Sequence, residues 1–575
     1  MPAAFFRRWR RRLSRAEWEV RRLRLSRSGV DPSARGLLLI QIDGLARAQF
    51  ERAVKSGRMP FCARLLRREG SELRTFYSGQ PATTPAVQAE LFYGVPAAVP
   101  AFSFLDPRAG ELGMMMQPSW AKRIEADLAA RGREGLLTGG SSWSNIYTGG
   151  ARPEECHFCG ALLSWSDLWR TGRLRALLLL ALLHFTVVLR LLALLPLEFV
   201  LSLIDAVRGI SAGQSIRREL WFVVARVFVC VGLREMVALG ARIDLARGLP
   251  VIHVNFLGYD EQSHRRGPDS AFAHWTLRGI DRAIRTLHAA ARRADGREYQ
   301  VWIFSDHGQA RVTPFSQQSE GGLEGAVRRC WPGLPPEQRS SRSYRPRDQS
   351  RLAQATAHRL PLRRRRQVDR SKLTAFEAAE FAVAAMGPVG HIYFCRPLDA
   401  PAERQLIRDL LAGGVPGVLH RREADGVVVW HTLQRAVELP GDTSLLRGPE
   451  ELRPHLAADL ERLARQPYAG NLVCLGWGPD GPAFSFAEEN GAHCGPSPDE
   501  VQGFLLVPPA SADRFSGSWT RAAELRLAAR RWLGRAEETE PPAGRPARDP
   551  EAEERPGGAI PARAEEPSPE PAHAR

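Results

Sequence analysis

Seven side chains have the types and settings to grip a pair of metal ions beside a hydroxyl: Asp43, Thr83, Asp260, His264, Asp306, His307 and His493. Carboxylates and imidazoles are ligands that divalent ions such as zinc and manganese accept. Two such ions can clamp both the attacking and the departing oxygen of a phosphoryl group. The pattern therefore points to hydrolysis of phosphate esters.

The local contexts explain why these residues stand out. Leu37–Ile42 is a short apolar run ending in Asp43-Gly44, which reads as a buried parallel strand with its carboxylate at the C-terminal tip. Open α/β sheets place ligands at that end. Val301–Phe304 repeats the design and runs into Ser305-Asp306-His307-Gly308. Val251–Leu257 leads to Asp260 and His264, whose four-residue spacing would point both the same way along one helical turn. His493 lies in Gly491-Ala492-His493-Cys494-Gly495, where glycine lets backbone approach an ion closely. Singly, each has an ordinary explanation as a cap, turn or surface residue. Their joint occurrence, three of them directly after strand-like runs, favours a shared centre.

The hydroxyl comes from Pro81-Ala82-Thr83-Thr84-Pro85. Pro85 suits the first turn of a helix, so Thr83 or Thr84 would sit at its mouth, where free N–H groups favour an anion. A plain threonine N-cap has the same signature.

Taken together, these pieces resemble the alkaline phosphatase superfamily, in its branch of type I phosphodiesterases and nucleotide pyrophosphatases. The motifs that carry the resemblance are Ile42-Asp43-Gly44, Thr83-Thr84-Pro85, Asp260-x3-His264-x2-Gly267-Pro268, Ser305-Asp306-His307-Gly308 and Gly491-Ala492-His493. The resemblance implies one ion held by Asp43, Asp306, His307 and the nucleophile, and a second held by Asp260, His264 and His493. The ions would be zinc, with manganese as the alternative. Its pattern places the nucleophile two residues before the proline, at Thr83, while the spacing to Gly94 fits Thr84, so both stay open. Asn145 is a candidate contact to a phosphate oxygen. Cys494 stands where the family has glycine, which leaves the metal set intact and bears on the loop's geometry.

The implied reaction is phosphodiester or pyrophosphate hydrolysis through a threonine nucleophile. Phosphomonoester hydrolysis or phosphoryl transfer at the same site is one alternative. A non-catalytic, membrane-bound polyanion binder is the other, and the complete ligand set counts against it.

Composition describes the surroundings. The chain has 575 residues, 44% hydrophobic, and a formal charge of +17, enough to bury a large core. Residues 1–35 hold eleven arginines against three acids, and 328–372 hold fourteen basic residues against three acidic. These two segments exceed the whole excess, so the basicity belongs to appendages. Both read as flexible and could meet anionic lipid or nucleic acid. The tail after Arg535 reads as disordered. The eight cysteines show no disulfide framework, and Cys156-His157-Phe158-Cys159 lacks a second pair for a metal site.

Ala176–Ile204 is apolar and long enough to cross a bilayer, though interrupted by His184, Arg190, Pro196 and Glu198. Leu220–Gly240 is a second apolar stretch carrying Arg226, Arg234 and Glu235. A helical hairpin in or on a membrane is expected there, the partner surface spanning 174–240, with a soluble packed hairpin as the alternative. No signal peptide is evident, and the arginine-rich flanks place the expected membrane-associated catalytic domain on the cytoplasmic side.

The expected fold is α/β, with a mostly parallel central sheet flanked by helices, an inserted helical hairpin and a small α+β subdomain. Strands are expected at 37–42, 251–257 and 301–305, and helices near 59–69, 85–93, 119–131 and 272–293. The segments run as a basic arm (1–35), catalytic parts at 36–170 and 249–320, the hairpin (171–248), a basic insertion (321–372), the subdomain with the last catalytic part (373–534) and the tail (535–575).

Overall fold

The computed structural model describes residues 15–22, 25–28, 33–162, 227–333, 341–344 and 378–536, with scattered positions between 185 and 207. The chain divides into a unit Met1–Arg535 and a tail Ala536–Arg575. Apart from Ala536, the tail lies outside the described residues.

The centre is a sheet of eight strands, labelled here in chain order: β1 (Arg35–Ile42), β2 (Glu72–Tyr77), β3 (Ser141–Trp143), β4 (Cys156–His157), β5 (Val251–Phe256), β6 (Glu298–Phe304), β7 (Gln502–Val507) and β8 (Trp519–Arg521). Their spatial order is β8-β2-β7-β6-β1-β5-β3-β4. Strands β6, β1, β5, β3 and β4 run parallel, as do β2 and β8, and β7 runs against both of its neighbours. The expected mostly parallel α/β sheet is what the structure shows.

Side chains alternate across a strand, and β1 buries both of its faces. Leu37 and Leu39 pack with Val87 and Phe92 of the helix Thr84–Tyr93, with Trp120 and Ile124 of Pro118–Ala130, and with Leu525 of Ala522–Trp532. Leu38, Ile40 and Ile42 pack with Phe50 of Arg47–Lys55, Leu65 of Pro60–Arg68, Val237 of Arg234–Arg247 and Ile284 of Ala271–Ala291. The register sets Gln41 beside Phe304 and Ile42 beside Phe256. The three strands therefore end together, and the residues after each emerge at one edge.

A second sheet of seven strands forms the small subdomain, ordered 341–344, 381–386, 389–394, 472–475, 417–421, 428–431 and 436–439. Val428–His431 pairs antiparallel with Gly417–Arg421, a hairpin that turns around Asp425-Gly426. Leu406 and Leu410 of the helix Ala400–Ala412 pack among the buried residues of this sheet, and Leu456 and Leu460 of Arg453–Ala464 do the same.

Three sequence expectations need correction. Part of the basic arm is ordered: Arg15–Arg22 is a helix with Glu19 and Val20 buried, and the following chain is held by a hydrogen bond from Arg247 Nε to the Ser26 carbonyl, 2.9 Å. From Cys230 on, the described residues of the second apolar stretch largely pack inside the protein. Val227–Leu233 is a π-helical stretch that leads into Arg234–Arg247, and Cys230, Val237 and Ala241 are buried within the protein. Its charges reach the interior because they pair: Arg234 meets Glu235 at 3.2 Å, and Arg247 meets Glu155 and Asp244. The basic insertion also begins later than expected, since Gly322–Cys330 is a helix that buries Leu323 and Val327. Its arginine-rich centre and most of Ala176–Ile204 lie outside the described residues.

The Arg247 cluster predicts a stability effect. Arg247→Ala leaves Glu155 and Asp244 buried without their cation, an arrangement that costs about 3–5 kcal/mol. The expected result is a lowered denaturation midpoint with an unchanged slope in a urea titration.

Candidate metal centre

Six of the seven metal-ligand candidates, all but Thr83, converge at the C-terminal edge of the sheet. Asp43 follows β1, Asp306 and His307 follow β6, and Asp260 and His264 sit on the helix Gly258–Arg266 directly after β5. His493 arrives from the distant end of the chain because Gly491–Ala492 pairs antiparallel with Ala310–Arg311, just beyond His307. Ser305 ties two of these loops, its Oγ accepting from the Leu45 amide at 3.0 Å.

Two groups of ligand atoms result: Asp43, Asp306 and His307, and Asp260, His307 and His493. In the first, His307 Nε2 lies 3.5 Å from Asp43 Oδ1 and 3.4 Å from Asp306 Oδ2. In the second, Asp260 Oδ1 lies 3.7 Å from His493 Nε2, while Asp260 Oδ2 lies 3.2 Å from His264 Nε2. The His307 and His493 rings stack at 3.9 Å, and the His264 and His493 rings are 5.0 Å apart. His307 stands between the two groups.

These separations fit cation binding. Two ligands about 2.1 Å from one tetrahedral ion are about 3.4 Å from each other, the spacing seen at His307. The imidazoles are also oriented for it. A backbone carbonyl faces Nδ1 of each ring: Gly491 O at 2.9 Å from His264, Gly308 O at 3.0 Å from His307 and Ala82 O at 3.0 Å from His493. A carbonyl can only accept, so Nδ1 carries the hydrogen and Nε2 is left as the ligating atom.

Electrostatics separates the three histidines. Burial pushes the pKa of His307 and His493 below the usual value, so both are neutral near pH 7. Burial also opposes charge on His264, but the carboxylates of Asp260 and Glu489 outweigh it and raise its pKa. For Asp260 the penalty of burial is overcome by the neighbouring histidines, His264 first, which hold its carboxyl well below the usual range.

The hydroxyl nearest the first group belongs to Thr84. Its Oγ1 lies 3.2 Å from Asp43 Oδ1, to which it can donate, and 3.2 Å from His307 Nε2. Thr83, the residue first expected there, is the N-cap of the helix Thr84–Tyr93, and its buried hydroxyl has no hydrogen-bond partner among the described residues. Asn145 is engaged within the protein, donating to Ser142 Oγ at 2.7 Å and accepting from Gln88 Nε2 at 3.0 Å. Cys494, buried and with φ at +118°, adopts a backbone conformation that favours glycine, yet His493 beside it keeps its place.

Three contributors were not read from the sequence. Asn255 Nδ2 donates to Asp43 Oδ2 at 2.8 Å, Gln309 Nε2 donates to Asp260, and Glu489 Oε2 lies 3.2 Å from His264 Nδ1. Asn255 could have been flagged as an amide inside an apolar strand. Gln309 adjoins Ser-Asp-His-Gly, and Glu489 lies four residues before His493.

Residues 236–328 match the family model for type I phosphodiesterase / nucleotide pyrophosphatase. The matched stretch contains Asp260, His264, Asp306 and His307, so it bears out the resemblance carried by those motifs. The likeness to phosphoric ester hydrolases rests on this stretch. No curated protein matches it. Among solved structures it is similar to an inactive variant of murine ectonucleotide pyrophosphatase / phosphodiesterase 5 in complex with AMP, at 10% identity and a TM-score of 0.44, covering 87% of this chain and 96% of that one. It is also similar to phosphonoacetate hydrolase from Sinorhizobium meliloti 1021 in complex with phosphonoformate, at 13% identity and a TM-score of 0.39, covering 89% and 99%.

Gly44 tests the geometry. At φ +70° a β-carbon there would stand 2.5 Å from Asp260 Oδ1, whereas one at Gly57, also at φ +70°, meets nothing within 4 Å. Both alanine variants share the backbone strain, so the difference isolates the clash. Gly44→Ala is expected to fold but to lose added divalent metal on dialysis, measured by atomic emission, while Gly57→Ala retains it.

Proposed function

We propose that the chain hydrolyses phosphodiester or pyrophosphate bonds, with Thr84 as nucleophile and two divalent ions, zinc or alternatively manganese, as cofactors. The carrying observation is the position of Thr84 Oγ1, 3.2 Å from both Asp43 Oδ1 and His307 Nε2. Asp43, Asp306, His307 and Thr84 would hold one ion, and Asp260, His264 and His493 the other. When bound, the ions would supply the positive charge that activates a weak hydroxyl and balances the phosphoryl oxygens.

The chain's own groups do the positioning. Thr84 opens a ten-residue helix, whose positive end favours an approaching phosphate. Asn255 holds the outer oxygen of Asp43, which keeps the inner one against Thr84. Attack forms the bond from Thr84 Oγ1 to phosphorus and breaks the bond to the leaving-group oxygen, and the hydroxyl proton, donated toward Asp43 Oδ1, passes to the departing oxygen. Water then displaces Thr84 from the phosphothreonine and restores its hydroxyl. The family match favours a diester or pyrophosphate over a monoester.

Turnover of bis(p-nitrophenyl) phosphate and p-nitrophenyl phosphate with added zinc or manganese distinguishes the reactions. Thr84→Ala is expected to lower kcat by ~10³-fold or more, as loss of a nucleophile does, whereas Thr83→Ala stays within severalfold of the parent. The reverse order would transfer the role to Thr83.

We also propose that the described apolar residues between 185 and 207 meet a membrane surface. The described residues there include Phe185, Leu192 and Val207, apolar and 58, 59 and 65% exposed, as an interfacial helix requires. Among the described residues no helix is long and apolar enough to cross a bilayer. Co-sedimentation with phosphatidylserine vesicles is expected, and Phe185→Asp with Leu192→Asp should weaken it at least tenfold at constant ionic strength.

A further inference from the structure

Glu489 belongs to no ligand group, yet its side chain and that of His264 are each 1% exposed and face one another. Glu489 Oε2 lies 3.2 Å from His264 Nδ1, on the side of the ring away from Asp260, which meets Nε2. Its other oxygen, Oε1, accepts from Ser485 Oγ at 2.6 Å, and that hydroxyl oxygen accepts from the Ala487 amide at 3.0 Å. The surrounding chain is fastened to the same helix, with Asn490 N donating to His264 O at 2.9 Å and Asn490 Nδ2 to Arg265 O at 2.8 Å.

This arrangement gives Glu489 more than a packing part. The Gly491 carbonyl already offers His264 Nδ1 an acceptor at 2.9 Å, which suffices to fix the tautomer. A second, charged acceptor on the same nitrogen adds negative charge that reaches Nε2 through the ring and makes it a better donor to a cation. The three aspartates provide three negative charges against the four positive charges of two divalent ions, and the buried Glu489 stands directly behind one of the histidine ligands.

We propose that Glu489 is a positioning residue for the second cation: through His264 Nδ1 it sets the affinity of the Asp260–His264–His493 site, with Ser485 fixing its orientation. This rests on the metal-hydrolase reading above.

The test is zinc stoichiometry and affinity, measured by chelator competition on the full chain, for the parent, Glu489→Gln and Ser485→Ala. Glu489→Gln keeps size and hydrogen-bonding capacity and removes the charge. It is expected to lose one of two zinc ions at roughly tenfold to hundredfold lower chelator strength, while the first ion is held as in the parent. Ser485→Ala should shift the same ion in the same direction by less. Excess zinc should restore kcat in both variants, and the metal-free proteins should melt with the parent.

A parent that binds two ions, with Glu489→Gln binding both equally well, overturns the role of Glu489 and leaves the hydrolase reading intact. A metal-free Glu489→Gln that melts early and is not rescued by zinc overturns it in favour of packing. A parent that takes up no second ion overturns both.

Discussion

Asp43, Asp306 and Asp260 are all buried, and two of them approach a single nitrogen of His307 within 3.5 Å. Like charges gathered in a low-dielectric interior repel, and the arrangement is costly unless a cation is shared among them. The remaining structure can be understood as what keeps these groups from moving apart. Strand register aligns the ends of β1, β5 and β6, carbonyls lock the imidazoles, Asn255 holds the outer oxygen of Asp43, and Gln309 holds the Asp260 oxygen that faces His493. None of these devices is a loop adjusting freely to its contents. The ligand spacing is set by a buried sheet whose central strand packs on both faces.

The parts of this design that depend on local sequence were legible in it. A continuous apolar run ending in an acid reads as a buried strand, and β1 and β6 are such runs. Asp260 and His264 declare a shared helical face by their spacing. The second threonine is different. Whether Thr83 or Thr84 meets Asp43 depends on where the helix begins, a matter of one residue, and element boundaries are the least legible feature of any sequence. Strands β2, β7 and β8 were missed because they carry no site residue, and Glu72–Tyr77 mixes charge with apolar positions. The outer partners were missed because a glutamine or glutamate beside a motif looks like any surface residue until the fold buries it.

Hydrophobicity misled the reading of 230–240 for a related reason. An apolar run with arginine in it can lie against lipid or against the rest of its own chain, and composition does not distinguish the two. Here Arg234 has Glu235, and Arg247 has Glu155 and Asp244, so their helix can be buried against the sheet. The first apolar run differs in its described positions, which are exposed.

The two ligand groups are also built unequally. Asp43, Asp306 and His307 each directly follow, or nearly follow, a strand of the central sheet, so register does most of the fixing, with Asn255 behind Asp43. Asp260 and His264 ride on a helix, and His493 is held by a two-residue pairing and the Ala82 carbonyl. A group with less backbone support depends more on side chains behind it. That is where Gln309 and Glu489 are found, one behind each of the two helix-borne ligands. The distribution follows from the fold: parallel strands deliver residues to one edge at fixed spacing, and whatever must be brought from a helix or from the far end of the chain has to be held by additional contacts.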